Sequence, residues 1–135
     1  MKKKILAVDD DSDNNYSLKI RLENSYSEYE VIGVNSGENC FEFLKNNEIP
    51  DVILLDIMMP NLNGWEIYQK LKENSTWKNI PVIFVTASTG DLSDKVKSYV
   101  GSDGIIEKPY DIEILMNRIK EVLENPEQTQ YFSED

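Results

Sequence analysis

The chain of 135 residues sets 25 acidic side chains against 14 basic ones, and its formal charge of −11 would repel the phosphates of nucleic acid. The length fits one domain with a proper core, and no apolar stretch approaches a membrane span. A single cysteine permits no internal disulfide, and without histidine the Ser-His-Asp and Cys-His arrangements and the common His-bearing zinc sites are excluded.

Lys2, Lys3 and Lys4 lead into an apolar run over 5–8 that superficially suggests a signal peptide, but Asp9, Asp10 and Asp11 arrive too soon. The reading is a cytoplasmic protein whose first strand is that run. Asp11 to Asp13 offer N-cap chemistry for a helix reaching about residue 25; Leu18 and Leu22 share a face, while Tyr16 and Ile20 blur the pattern. A short strand over 30–34 follows, then Ser36 and Gly37 lead into a helix over 38–46 with Cys40 and Leu44 one turn apart.

The central strand, residues 52–55, is four apolar residues ending in Asp56, as expected of a strand buried on both faces. Met58, Met59 and Pro60, then Asn61 to Gly64, turn the chain away into a helix over 65–73 carrying Ile67, Tyr68 and Leu71. Pro81 opens a strand over 82–85 that ends in Thr86. The spacing of Leu92, Val96 and Val100 predicts a helix over 91–100. Gly101 and Gly104 bracket the turn into Ile105 and Ile106, followed by Glu107, Lys108 and Pro109. The last helix starts near Asp111, aligns Ile112, Leu115, Ile119, Val122 and Leu123, and stops at Asn125-Pro126. This leaves residues 1–125 as one domain and 126–135 as a flexible acidic tail.

Five βα units in succession imply a parallel sheet with helices on both faces and right-handed crossovers. An acid buried mid-strand would be costly, but at the carboxyl end it faces the crevice where open α/β sheets bind ligands. As parallel neighbours, these strands would bring carboxylates, the Thr86 hydroxyl and the Lys108 ammonium to one rim. With no Walker-type glycine loop and no dinucleotide fingerprint, the chemistry falls to carboxylates, hydroxyls, lysine and an oxygen-liganded metal.

Val8-Asp9-Asp10, Leu55-Asp56-Ile57-Met58-Met59-Pro60, Asn63-Gly64, Val85-Thr86-Ala87 and Lys108-Pro109 occur in this order and spacing. Each motif alone is weak; together, over residues 4 to about 124, the sequence resembles the receiver domains of two-component response regulators, in a stand-alone form without an output domain. The resemblance implies a doubly wound, flavodoxin-like α/β fold of five parallel strands ordered 2-1-3-4-5. It implies Asp56 as phosphoacceptor, Mg²⁺ (or Mn²⁺) held by Asp10, by Asp9 directly or through water, by Asp56 and by the Met58 backbone carbonyl. It further implies Thr86 and Lys108 on phosphoryl oxygens and a cis Lys108-Pro109 bond.

The implied donor is a phosphohistidine on a sensor kinase or a histidine phosphotransfer protein. The implied output is a downstream protein target, from a monomer or a phosphorylation-dependent dimer, with no nucleic acid or membrane contacted. The protein is then no enzyme beyond self-catalysed transfer to, and hydrolysis from, its own Asp56. One position departs from the pattern: the residue three before the lysine, usually an aromatic that turns inward on signalling, is Ile105. Ile105 is therefore expected to keep one rotamer while the loop over 86–91 and the helix after it move.

The physical reasons stand beside the resemblance. A carboxylate attacks an anionic phosphoryl group poorly because the charges repel; a hard cation held by oxygens bridges them. Charge spread over the equatorial oxygens calls for cationic and hydroxyl partners. Taken singly, Asp9, Asp10, Asp11 and Asp13 fit a solvated helix start, Thr86 a turn cap, Lys108 a surface lysine, Cys40 a small core hydrophobe, and Trp65 and Trp77 covers over loops. A degenerate receiver acting as a constitutive binding module is disfavoured by the intact Asp9, Asp10, Asp56, Thr86 and Lys108 set. A haloacid-dehalogenase-like phosphatase needs an aspartate at Met58, and an FMN site would be repelled by the three aspartates after the first strand.

Overall fold

A computed structural model describes residues 2–87, 90–101 and 104–125. Strands β1 (Lys3–Val8), β2 (Tyr29–Val34), β3 (Val52–Asp56), β4 (Val82–Thr86) and β5 (Ile105–Glu107) alternate with helices α1 (Ser12–Ser25), α2 (Gly37–Asn46), α3 (Gly64–Glu73), α4 (Asp91–Val100) and α5 (Ile112–Glu124). All strand pairs are parallel and the order is β2-β1-β3-β4-β5, the doubly wound arrangement expected. The sheet reverses its winding between β1 and β3, and open sheets of this kind bind ligands at that point.

Strands β3 and β4 are buried along their full length, as continuous apolar runs inside a parallel sheet should be. Alternate side chains feed two cores. Leu6, Val8, Ile53, Leu55 and Phe84 pack with Trp65, Tyr68 and Val96 on one face. Ile5, Ala7, Leu54, Ile83 and Val85 pack with Leu18, Leu115 and Ile119 on the other. Burial of each such side chain contributes roughly 1.5–3 kcal/mol, so the cores fix the strand ends firmly.

Local chemistry sets the helix starts. Asp11, Ser36, Asn63 and Asp111 each accept a first-turn amide, and Asn63 with Glu66 completes a capping box. Helix α1 covers the free edge of β2: Glu23 accepts from the Val31 amide at 2.8 Å and Lys19 donates to the Val31 carbonyl at 3.0 Å. Such cover removes an open template for further strand pairing.

Several boundaries and placements differ from the sequence expectation. β1 begins at Lys3, β2 at Tyr29, whose ring is buried, and β5 includes Glu107. Trp65 does not cover a loop: it lies in the first turn of α3 and packs inside the core against Tyr68 and Phe84. Trp77 stacks on Phe41 of α2. Cys40 is fully buried, and burial pushes its thiol up to about 12, in keeping with a core hydrophobe. The tail expected over 126–135 and two residues of the 86–91 loop lie outside the described residues. Among the described residues, no helix is long and apolar enough to cross a membrane.

Candidate functional site

Pairing of Asp56 with Val85, and of Val8 with Leu55, sets the ends of β1, β3 and β4 at one level. Asp9, Asp10 and Asp56 therefore meet on the rim, with a carboxylate oxygen from each lying within 4.8 Å of the others. Asp56 is 7% exposed and Asp9 8%, whereas Asp10 faces solvent. Lys108 reaches across from the loop after β5, its Nζ 2.6 Å from Asp9 Oδ2 and 3.6 Å from Asp56 Oδ2. The Lys108 amide donates to the Thr86 carbonyl at 2.8 Å, and the Lys108-Pro109 bond is cis.

Asp9 is held on both sides. Its Oδ1 accepts from the Asp11 amide at 2.9 Å, and its Oδ2 accepts from Asn14 Nδ2 at 3.3 Å as well as from Lys108. Asn15, buried on α1, donates to the Asp9 and Val34 carbonyls at 3.2 and 3.1 Å. Asp56 Oδ1 accepts a longer bond, 3.3 Å, from the Met58 amide.

The loop after β3 is locked from beneath. Gly64 N donates to the Ile57 carbonyl at 2.9 Å, and a Cβ at Gly64 would lie 2.9 Å from Ile57 Cα and collide with the Asp56 carbonyl. The Asn63-Gly64 pair thus has a structural cause: an asparagine to cap α3 and a glycine to let α3 approach the backbone of Asp56.

Burial pushes the Asp56 carboxyl up to about 6; Lys108 and the Met58 amide oppose this, while Asp9 and Asp10 add to it. Burial also works against the Lys108 charge, but its hydrogen bond to Asp9 and the charges of Asp56 and Asp9 outweigh it and hold the ammonium above its ordinary range. Three clustered carboxylates, of which the Lys108 ammonium contacts Asp9 and Asp56, carry excess negative charge, which a cation would offset. Hard divalent cations take such oxygen ligands.

The structure brings together Asp9, Asp10, Asp56 and Lys108. Thr86 is 3% exposed at the end of β4, one position beyond Val85, which pairs with Asp56. Met58 follows Asp56 by two residues with its side chain exposed. Ile105 sits half-buried on β5 opposite Phe84. Sequence reasoning missed Asn14, Asn15 and Ser93, whose Oγ lies 3.4 Å from Thr86 Oγ1. A signal for two of them existed. Asn15 precedes Leu18 and Leu22, and Ser93 precedes Val96 and Val100, each a polar residue on its helix's buried stripe.

The family model for the response regulator receiver domain matches residues 5–120. The chain belongs to the response regulator receiver domain family. Response regulator ArlR of Staphylococcus saprophyticus is 40% identical over 121 residues, covering 89% of this chain and 52% of that protein. A probable transcriptional regulator, ycf27, of Guillardia theta is 37% identical over 123 residues, covering 90% of this chain and 46% of its own. The chain spans about half the length of the curated relatives it matches. Among solved structures, the receiver domain of a Syntrophus aciditrophicus signal transduction histidine kinase is 30% identical with a TM-score of 0.78, covering 97% of both chains. A CheY-like receiver domain protein from Methanospirillum hungatei is 29% identical with a TM-score of 0.79, covering 95% of this chain and 98% of that one. This receiver is a phosphoacceptor module of two-component signalling, and receiver domains bind Mg²⁺ at an acidic site such as this one.

Proposed function

We propose that Asp56 is the phosphoacceptor and that it takes its phosphoryl group from the phosphohistidine of a sensor kinase or a histidine phosphotransfer protein in the cytoplasm. The observation that carries this reading is the placement of Asp56 on the rim, clustered with Asp9 and Asp10 and with Lys108 within 3.6 Å. Residues 1–125 form the receiver unit. Asp10 and Asp56, with the Met58 carbonyl, would hold Mg²⁺ or Mn²⁺; Asp9, whose oxygens already accept from Lys108, Asn14 and the Asp11 amide, would act directly or through water. When bound, the metal offsets the repulsion between carboxylate and phosphoryl oxygens.

The chain's own groups do the rest. Asp56 must be ionised to attack, and the rigid β3 end aims its carboxylate at the rim. Lys108 exchanges part of its contact with Asp9 for a phosphoryl oxygen, and the Thr86 hydroxyl donates to another; both stabilise charge on the transferring group. Turnover is confined to this residue, so the module is a switch that presents one of two surfaces to a downstream protein, as a monomer or a phosphorylation-dependent dimer.

Incubation with a phosphohistidine-bearing donor domain and Mg²⁺ tests the assignment. Wild type should gain acid-stable, base-labile label and Asp56→Asn none. Label on Asp56→Asn at the wild-type rate would place the acceptor elsewhere.

A further inference from the structure

We infer that Ser93 is a positioning residue that couples Thr86 to the start of α4, so that a phosphoryl group on Asp56 moves this helix rather than β5. The inference rests on Asp56 as the phosphoacceptor. Among the described residues, the buried polar side chains are Asp9, Asn15, Asp56, Thr86 and Ser93. The first four belong to the rim or brace it. Ser93 stands on α4, on the inward stripe with Val96 and Val100, where a valine-sized apolar group would otherwise serve packing. A hydroxyl buried there needs a polar partner, and it has one in Thr86, with the two oxygens 3.4 Å apart.

That separation exceeds the usual hydroxyl pair of about 2.5–3.0 Å, so the contact has room to tighten. Each hydroxyl has one proton to give and lone pairs to receive. When Thr86 donates its proton to a phosphoryl oxygen, its lone pairs can still accept from the Ser93 hydroxyl. The result is a chain from Ser93 to Thr86 to phosphoryl oxygen, each bond strengthening the next. As Thr86 advances, Ser93 follows, and Ser93 lies in the first turn of α4.

This end of α4 is easily moved. Its N-cap is Gly90, at a φ of 152° and with no side-chain hydrogen bond, whereas α1, α2, α3 and α5 are all capped by side chains. The rest of the helix is packed onto the core: Val96 and Val100 are buried, and Tyr99, half exposed, lies on Trp65 with ring centroids 5.1 Å apart. Trp65 also lies beside Phe84, the residue two before Thr86. A shift at the α4 start therefore reaches a half-exposed aromatic on the surface. Ile105, the alternative route, has no polar atom to follow Thr86 and is stiff about its first torsion.

The test follows α4 amide exchange and Trp65 fluorescence on adding Mg²⁺ and beryllofluoride, in a Trp77→Phe background that leaves Trp65 as the only indole. Ser93→Ala should fold, since alanine suits a helix interior, and should still bind beryllofluoride. It should lose most of the α4 and Trp65 responses, and Ser93→Thr, which restores a hydroxyl, should recover them. A full response in Ser93→Ala would overturn the coupling, as would an equal loss in Ser93→Thr, which would mark the effect as packing alone. Absence of any Mg²⁺-dependent beryllofluoride binding by wild type would instead contradict the phosphoacceptor assignment.

Discussion

Burying Asp56 raises the free energy of its carboxylate, and Lys108 at 3.6 Å offsets only part of that cost, so the carboxyl is pushed from 3.8 up to about 6. An acid whose folded pKa exceeds its unfolded value binds its proton more tightly in the native state. Stability of the metal-free protein is therefore highest below pH 3.8 as far as this group is concerned, falls as pH rises through that window, and has lost the whole contribution above about 6. The shift corresponds to roughly 1–3 kcal/mol. Asp56→Asn should accordingly stabilise the metal-free protein by that amount near neutral pH, with the gain shrinking toward about pH 4. Thermal unfolding in chelator across this range checks it; a gain that is the same at all pH values would mean the effect is not ionisation. Asp56 itself was legible in the sequence because a doubly buried strand tolerates a carboxylate only where it opens onto a crevice. Of its neighbours, Asn15 left a faint trace as a polar residue on the inward stripe of α1 with Leu18 and Leu22, whereas Asn14, an exposed amide bracing Asp9, left none. Lys108 was legible only through the converging strand ends and the Lys108-Pro109 motif, since taken singly nothing local distinguishes it from other lysines.

At the level of elements, α3 shows how a loop motif acts through packing. Asn63 caps the helix and Gly64 lets it approach the backbone of Asp56, so the two residues should fail differently when replaced. Asn63→Ala should cost about 1 kcal/mol of stability with phosphoryl acceptance retained. Gly64→Ala forces a methyl against the Asp56 and Ile57 backbone and should cost roughly 1–3 kcal/mol while also slowing acceptance, since the acceptor itself is displaced. Denaturant unfolding paired with labelling rates separates them; acceptance in Gly64→Ala at the wild-type rate would show that the backbone yields elsewhere. The bounds of α4 were readable from its spacing, yet its buried stripe runs through Ser93, with Leu92 only half-buried. α1 resisted a periodic reading for a physical reason: it is held by Leu18 and Leu22 but also by Asn15, Lys19 and Glu23 bonding to β2, which leaves Tyr16 and Ile20 exposed. Side chains held in place by hydrogen bonds leave no hydrophobic period.

For the whole molecule, five βα units and two cores hold the ends of β1, β3 and β4 in register, and this registry rather than any one motif builds the acidic rim. The alternation of elements was visible in the sequence, whereas the 2-1-3-4-5 order came from the resemblance, because periodicity does not say which strands are neighbours. The central claim, a metal-dependent phosphoacceptor at Asp56, is tested most directly by intact mass measurement after incubation with a small acyl phosphate, with and without Mg²⁺. Wild type should gain one phosphoryl group with Mg²⁺ and none in chelator, Asp56→Asn none in either, and Asp10→Asn little even with Mg²⁺. A phosphoryl group on Asp56→Asn, or equal labelling of wild type in chelator, would contradict the account.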